Sequence, residues 1–119
     1  MVSLDTHVLV HALAGTLLPR ERAVLQTQPW GISAIVTWEL CKLAQLGRVH
    51  IDSDDPEVAS ALSRLHVWPL GLEVARVSTR LDFRGDPADE LIAATSIVHR
   101  VPLLTRDRQI RRSRLVPLV

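Results

Sequence analysis

The apolar positions of this chain fall in short runs separated by stretches of helical period, and that alternation is its main structural signal. Val2-Ser3-Leu4 is a strand candidate that begins almost at the first residue. Val8, Leu9, Ala12 and Leu13 then share one face of a helix that Gly15 stops. Pro19 to Gln26 reads as a second helix with proline near its first turn. Ile32-Ser33 is a brief strand, followed by a helix from Ala34 to Leu46 that ends at Gly47. Asp54-Asp55-Pro56 opens a helix through Leu65, with Ala59, Leu62 and Leu65 on its apolar side. Val67 to Leu70 reads as a strand, Leu72 to Leu81 as a helix, and Val101 to Thr105 as a strand. Leu115 to Val119 is an edge-strand candidate because of its proline. The pattern predicts an α/β fold: one domain over residues 1–119, with a short parallel sheet flanked by helices on both faces.

The stretch from Gly85 to Ser96 organises the rest. Asp86 has the chemistry of an N-cap, Pro87 suits the first helical position, and Asp89 stands where an acid can complete a capping box. From Leu91 to Val98 the helix is apolar or small on nearly every side, which predicts burial. Three acids, Asp86, Asp89 and Glu90, at the mouth of a buried helix are more than a cap needs, because like charges three and four apart repel.

Composition narrows the classes. A hydrophobic content of 47% in 119 residues supports a proper core. A net charge of +1 names no partner. The lone Cys41 cannot form an internal disulfide and fits a reducing cytoplasm. No apolar run approaches the roughly 18 residues of a membrane span, and the first residues lack a signal-peptide pattern. Three tryptophans and one phenylalanine are poor material for a base-stacking platform.

In open α/β sheets, ligands bind beyond the carboxyl ends of the strands. Asp5 follows the first strand, Asp107 follows the strand ending at Thr105, Asp89 starts a helix, and Glu39 lies one to two turns into the helix after Ile32-Ser33. All four can reach one edge of the sheet. Carboxylates gathered there repel unless a cation neutralises them, and an oxygen-only set suits Mg²⁺ or Mn²⁺. The histidines are scattered and Cys41 is alone, so zinc spacing is absent.

Leu4-Asp5-Thr6-His7-Val8-Leu9, Thr37-Trp38-Glu39-Leu40 with Gly47-Arg48, Asp89-Glu90-Leu91-Ile92-Ala93-Ala94-Thr95, and Leu104-Thr105-Arg106-Asp107 resemble the ordered motifs of the PIN-domain nucleases. Among these the chain is most similar to the VapC-type toxins of prokaryotic toxin–antitoxin pairs. The resemblance runs from near Val2 to about Arg108. It implies a single PIN-like domain, an acidic Mg²⁺ or Mn²⁺ site, RNA cleavage, homodimerisation and an antitoxin partner. By position it puts the family's acids on Asp5, Glu39, Asp89 and Asp107, with Thr6 as a polar neighbour in the site. Of these, Asp5 and Asp89 are expected to be the direct metal ligands, with Thr6, Asp86 and Thr105 around them. Glu90 stands where relatives with a similar Asp-Pro-x-Asp motif often carry arginine, which leaves Asp86 and Glu90 as alternative partners of Asp89.

Plainer readings compete. Asp5 can simply cap its helix, Glu39 can pair with Lys42, and Asp107 can pair with Arg106 or Arg108. His7 and His11 read as surface or packing side chains, and Trp38 as core or dimer packing. Six of the 14 basic residues lie within the 15 positions from Arg100 to Arg114. Among them Arg106, Arg108, Arg111 and Arg112 form a candidate rim for RNA phosphates or an acidic antitoxin. Two other classes fit the acids: a PIN-fold scaffold without activity, and a phospho-accepting receiver domain. The second needs a late lysine, and the chain's only lysine is Lys42.

Overall fold

The computed structural model describes all residues, 1–119. Strands β1 (Val2–Leu4), β2 (Trp30–Ser33), β3 (His66–Trp68) and β4 (Leu103–Leu104) form one parallel sheet in the order β3-β2-β1-β4. Helices α1 (Thr6–Ala14), α2 (Pro19–Leu25), α3 (Ala34–Gln45), α4 (Pro56–Ser63), α5 (Leu72–Ser78), α6 (Pro87–His99) and α7 (Arg108–Arg111) connect and cover it. Every residue of β1 is buried, so both faces of the central strand are covered. The core joins Val2 and Leu4 of β1 to Val8 and Leu9 of α1, Val36 and Leu40 of α3, and Ile92 and Ala93 of α6. No helix is long and apolar enough to cross a membrane.

The strand order places the chemistry. The chain steps outward from β1 to β2 to β3, then returns to the other side of β1 for β4. The crevice between β1 and β4 is therefore the topological switch point, where parallel sheets leave room for ligands.

Several boundaries differ from the sequence expectation. Strand β3 is His66–Trp68, because Pro69 has no N–H to continue the ladder. Strand β2 starts earlier, at Trp30, and Gly31 is required there: a Cβ would meet the Trp68 ring at 2.5 Å. Helix α5 stops at Ser78, where the Ser78 and Thr79 hydroxyls turn back to donate to the carbonyls of Ala75 and Arg76. Of Val101–Thr105 only Leu103–Leu104 is regular strand. The terminal segment makes one parallel bridge, Leu118 to Leu103, because Pro117 lacks a donor. The short α7 was not foreseen in the arginine-rich tail.

The largest correction concerns Asp86. It occupies the N-cap position of α6, and its carbonyl accepts from the Glu90 N–H at 3.1 Å, yet its carboxylate accepts no backbone N–H. Asp89 closes no capping box either. The two side chains line a cleft instead of serving the helix end.

Candidate active site

Three of the four implicated acids are held by the local structure that carries them. Asp5 leaves β1 as the N-cap of α1, and its Oδ1 accepts the Val8 N–H at 2.8 Å. Its Oδ2 accepts the Thr105 hydroxyl, and the same Thr105 Oγ1 accepts the Asp107 N–H at 3.0 Å. A hydrogen-bonded chain thus links the ends of β4 and β1. Asp107 in turn caps α7, with Oδ1 accepting the Ile110 N–H at 2.9 Å. Glu39 accepts the buried Thr6 hydroxyl and makes no pair with Lys42, which donates to Gln45 at 2.7 Å. Each threonine orients one carboxylate. Capping and site geometry are one arrangement here, since a cap uses only one of a carboxylate's oxygens.

Asp5, Glu39, Asp86, Asp89 and Asp107 line one cleft of about 440 Å³ with His7, His11 and Arg106, and no apolar side chain takes part. Burial raises the pKa of Asp5, opposed by the Thr105 and Val8 hydrogen bonds and by His7, with Asp107 adding to the rise. Asp89 is pushed up to about 6, first by burial and then by the charges of Asp107, Glu39, Asp86 and Asp5. Mutual repulsion is the signature of a site that lacks its own counter-charge. The five carboxylates offer oxygen donors, the kind that hard divalent cations take, beside the imidazoles of His7 and His11. No group of three or more histidine, cysteine, aspartate or glutamate side chains stands where it could together hold a metal ion.

One cation borders the cleft, and it is already engaged. The Arg106 guanidinium forks onto buried Glu21, with Nη2 to Oε1 at 2.6 Å and Nε to Oε2 at 2.8 Å. The pair holds the Glu21 carboxyl at about 2. Arg106 Nη1 meets His11 Nε2 at 3.1 Å, so that nitrogen accepts and the proton sits on Nδ1, facing Thr16 Oγ1 at 2.7 Å. Arg106 is therefore fixed in the cleft wall and is no freely swinging rim residue. Sequence reasoning missed Glu21 and assigned His7 and His11 to surface or packing, whereas both line the cleft. Glu21 lies 85 positions from Arg106, and its only local signal is that it reaches back to the Leu18 N–H at 2.8 Å.

Of the other arginines, Arg108 and Arg112 are exposed, and Arg111 is exposed while donating to the Thr105 carbonyl at 3.3 Å. Arg100 caps the far end of α6, about 18 Å along the helix from Asp89's end. Trp38 is 58% exposed and so does not belong to the core. Glu90, one residue on from Asp89, lines a different cleft, so of Asp86 and Glu90 it is Asp86 that shares Asp89's cleft.

The raised pKa of Asp89 has a measurable consequence. A group whose folded pKa exceeds its ordinary value contributes stability through its protonated form. That contribution is complete below pH 3.8 and is lost as pH rises through about 6. In chelator-treated protein, Asp89→Asn should flatten the loss of melting temperature between pH about 5 and 7 by a few degrees. An unchanged slope would mean that Asp89 does not carry this repulsion.

Comparison with known proteins identifies the family and the fold. The family model described as "PIN domain" matches residues 2–114. Ribonuclease VapC22 of Mycobacterium tuberculosis (strain ATCC 25618 / H37Rv) is 33% identical over 122 residues, covering 95% of this chain and 92% of that protein. Among solved structures, VapBC2 from Rickettsia felis bound to a DNA fragment from their promoter matches with a TM-score of 0.75 at 20% identity, over 100% of this chain and 98% of the other. DNA-bound VapBC from Salmonella typhimurium matches with a TM-score of 0.74 at 23% identity, over the same shares. At those identities the structures speak for the fold alone. With the family model spanning nearly every element and the acids gathered at the switch point, the chain belongs to the PIN domain family.

Proposed function

We propose that this protein is a metal-dependent endoribonuclease, the toxin of a toxin–antitoxin pair, acting in the cytoplasm. The observation that carries the reading is the convergence of Asp5, Glu39, Asp89 and Asp107 on one polar cleft. The naming of its relative as a ribonuclease VapC supports it. Asp5 and Asp89 would hold Mg²⁺ or Mn²⁺. When bound, the ion supplies neutralisation of charge on the scissile phosphate and acidification of the attacking water. Asp107 has one oxygen occupied by the Ile110 N–H and keeps the other for water in the cleft. Glu39, oriented by Thr6, faces the same space, and one of these two steers the attacking water. Arg106 still has N–H groups beyond those bound to Glu21 and His11, available to a phosphate oxygen. The test is cleavage of an RNA panel with Mg²⁺, with Mn²⁺ and with chelator. Cleavage that survives chelation sinks the metal reading, and no cleavage with any ion favours the inactive scaffold.

The partners follow from the same reading. One fold neighbour is a toxin–antitoxin complex from Klebsiella pneumoniae and another is a member of the VapBC family of toxin–antitoxin systems, which supports an antitoxin as partner. Exposed Arg111 and Arg112 form the phosphate rim, and Arg111→Gln with Arg112→Gln should flatten the salt dependence of RNA binding by a slope of about 2. An unchanged slope returns them to an ordinary solvated face. A homodimer would use the apolar groove of Ala34, Ile35, Trp38, Leu70, Pro87 and Leu91, where Trp38 and Leu70 stand 58% and 42% exposed. Sedimentation should give a dimer at micromolar concentration and a monomer for Trp38→Arg. Monomer alone in the unaltered protein overturns this.

A further inference from the structure

Successive residues of a helix project about 100° apart. Asp89 therefore lines the acid cleft, while Glu90 lines a second, polar cleft of about 330 Å³ on the other side of the α6 N-terminus. Its remaining walls are Ser78 and Thr79 at the end of α5, then Leu81, Phe83 and Arg84 of the connecting loop. Arg84 and Glu90 bring opposite charges into this space without pairing. The molecule's one ion pair is Arg106–Glu21, and neither the Arg84 nor the Glu90 side chain makes a hydrogen bond. The Ser78 and Thr79 hydroxyls have given their protons to backbone carbonyls, at 2.6 and 2.8 Å, and so face a ligand as acceptors. Phe83 is half-buried, packing on the core and also lining the cleft. The loop is pinned to α7: Gln109 Nε2 donates to the Arg84 carbonyl at 2.6 Å, and a Cβ on Gly85 would come within 2.9 Å of Gln109 Oε1.

A free cation, a free carboxylate, one aromatic ring and acceptor hydroxyls match the parts of a single unpaired nucleotide. Its phosphate suits Arg84, its base stacks on Phe83, and its N–H groups suit Glu90. One ring is too little for a platform and enough for one base. We infer that this cleft is a nucleotide subsite beside the scissile bond, and that Glu90 makes it select guanine. This rests on the ribonuclease reading. Guanine presents two neighbouring donors, N1–H and the N2 amino group, to the two oxygens of a carboxylate. Adenine and cytosine set their amino group beside a ring acceptor that a carboxylate repels, and uracil has one N–H between two carbonyls.

The test has two arms. In chelator, guanosine 5′-monophosphate should bind about tenfold more tightly than the adenosine, cytidine or uridine monophosphates, followed by amide shifts from Ser78 to Glu90. Glu90→Gln, which keeps the side chain's shape, should erase that preference, and Phe83→Leu should weaken all four nucleotides together. Equal affinities in the unaltered protein, or a guanine preference that survives Glu90→Gln, overturns the proposal. In the second arm a randomised RNA pool is cut and the ends are sequenced. A guanine bias next to the cut that disappears in Glu90→Gln supports the subsite. Cleavage without such a bias overturns it and leaves the ribonuclease reading standing. Selective guanosine monophosphate binding with no cleavage of the pool overturns the ribonuclease reading and with it the place of the cleft beside a scissile bond, while leaving the guanine selectivity of Glu90 standing.

Discussion

Asp5→Asn and Asp89→Asn should each lower RNA cleavage at least about a hundredfold while leaving the metal-free protein as stable as before, or slightly more so. A substitution that removes several kcal/mol of transition-state stabilisation at no cost to the fold marks a site. Asparagine keeps the Oδ1 that accepts the Val8 N–H, so the α1 cap survives, and at Asp5 the bond that Oδ2 accepts from Thr105 reverses, with the amide donating to Thr105 Oγ1. Removing a negative charge also relieves the repulsion that pushes Asp89 up to about 6. Melting with and without Mg²⁺ gives an independent readout. At a hundredfold excess over its dissociation constant, an ion bound only by the native state adds about 2.7 kcal/mol. That shift should vanish in both variants. It should persist in Asp86→Ala, which makes no cap bond to lose and so should melt close to the unaltered protein. Should Asp86→Ala lose the shift while Asp89→Asn keeps it, the ligand is Asp86.

Glu21→Ala should be the most damaging single change for stability away from the apolar core, by about 2 kcal/mol or roughly 8 °C of melting temperature. The buried carboxylate accepts three hydrogen bonds, one from Leu18 N–H and two from Arg106. Its loss strands the Arg106 charge. A fully buried pair would cost more, but the Arg106 side chain is 32% exposed and water takes up part of the loss. Glu21→Gln keeps the Leu18 bond and should cost about half as much. The sign with pH is definite. A folded pKa of about 2 against an ordinary 4.5 gives stability present above pH 4.5 and lost as pH falls towards 2. Acid titration of the melting temperature should therefore lose this limb in Glu21→Ala. The RNA KM should rise as well, because a loosened Arg106 no longer holds its place in the cleft wall. A variant as stable as the unaltered protein would mean that the pair is only a surface contact.

The acids of the site were legible because each sits at a boundary that local chemistry announces. Asp5 ends an apolar run, Asp107 follows Leu104-Thr105, and Asp89 stands behind a proline at a helix start. The threonines were legible as neighbours, though not in their roles: Thr105 ties Asp107 to Asp5, and Thr6 aims Glu39. Cap chemistry misled at Asp86, since a residue suited to a cap is free to face elsewhere when a cleft opens beside it. The arginine run read as one rim, and the structure divides it: Arg106 is bound to Glu21, Arg100 is at the far end of α6, and only the stretch around α7 stays exposed.

By itself, the sequence determined what repeats at short range: the α/β alternation, the helix stops at Gly15 and Gly47, the burial of the α6 middle, and which acids end strands or start helices. Those features depend on side-chain period and capping, which act over a few residues. Only the tertiary structure decided the strand order that puts β4 beside β1, the convergence of five carboxylates on one cleft, and the assignment of Asp86 and Glu90 to different clefts. It alone paired Glu21 with Arg106 across 85 residues. The reason is that a parallel sheet brings together segments separated by whole helices. Which charges then repel, pair or remain free depends on distances that no local pattern encodes.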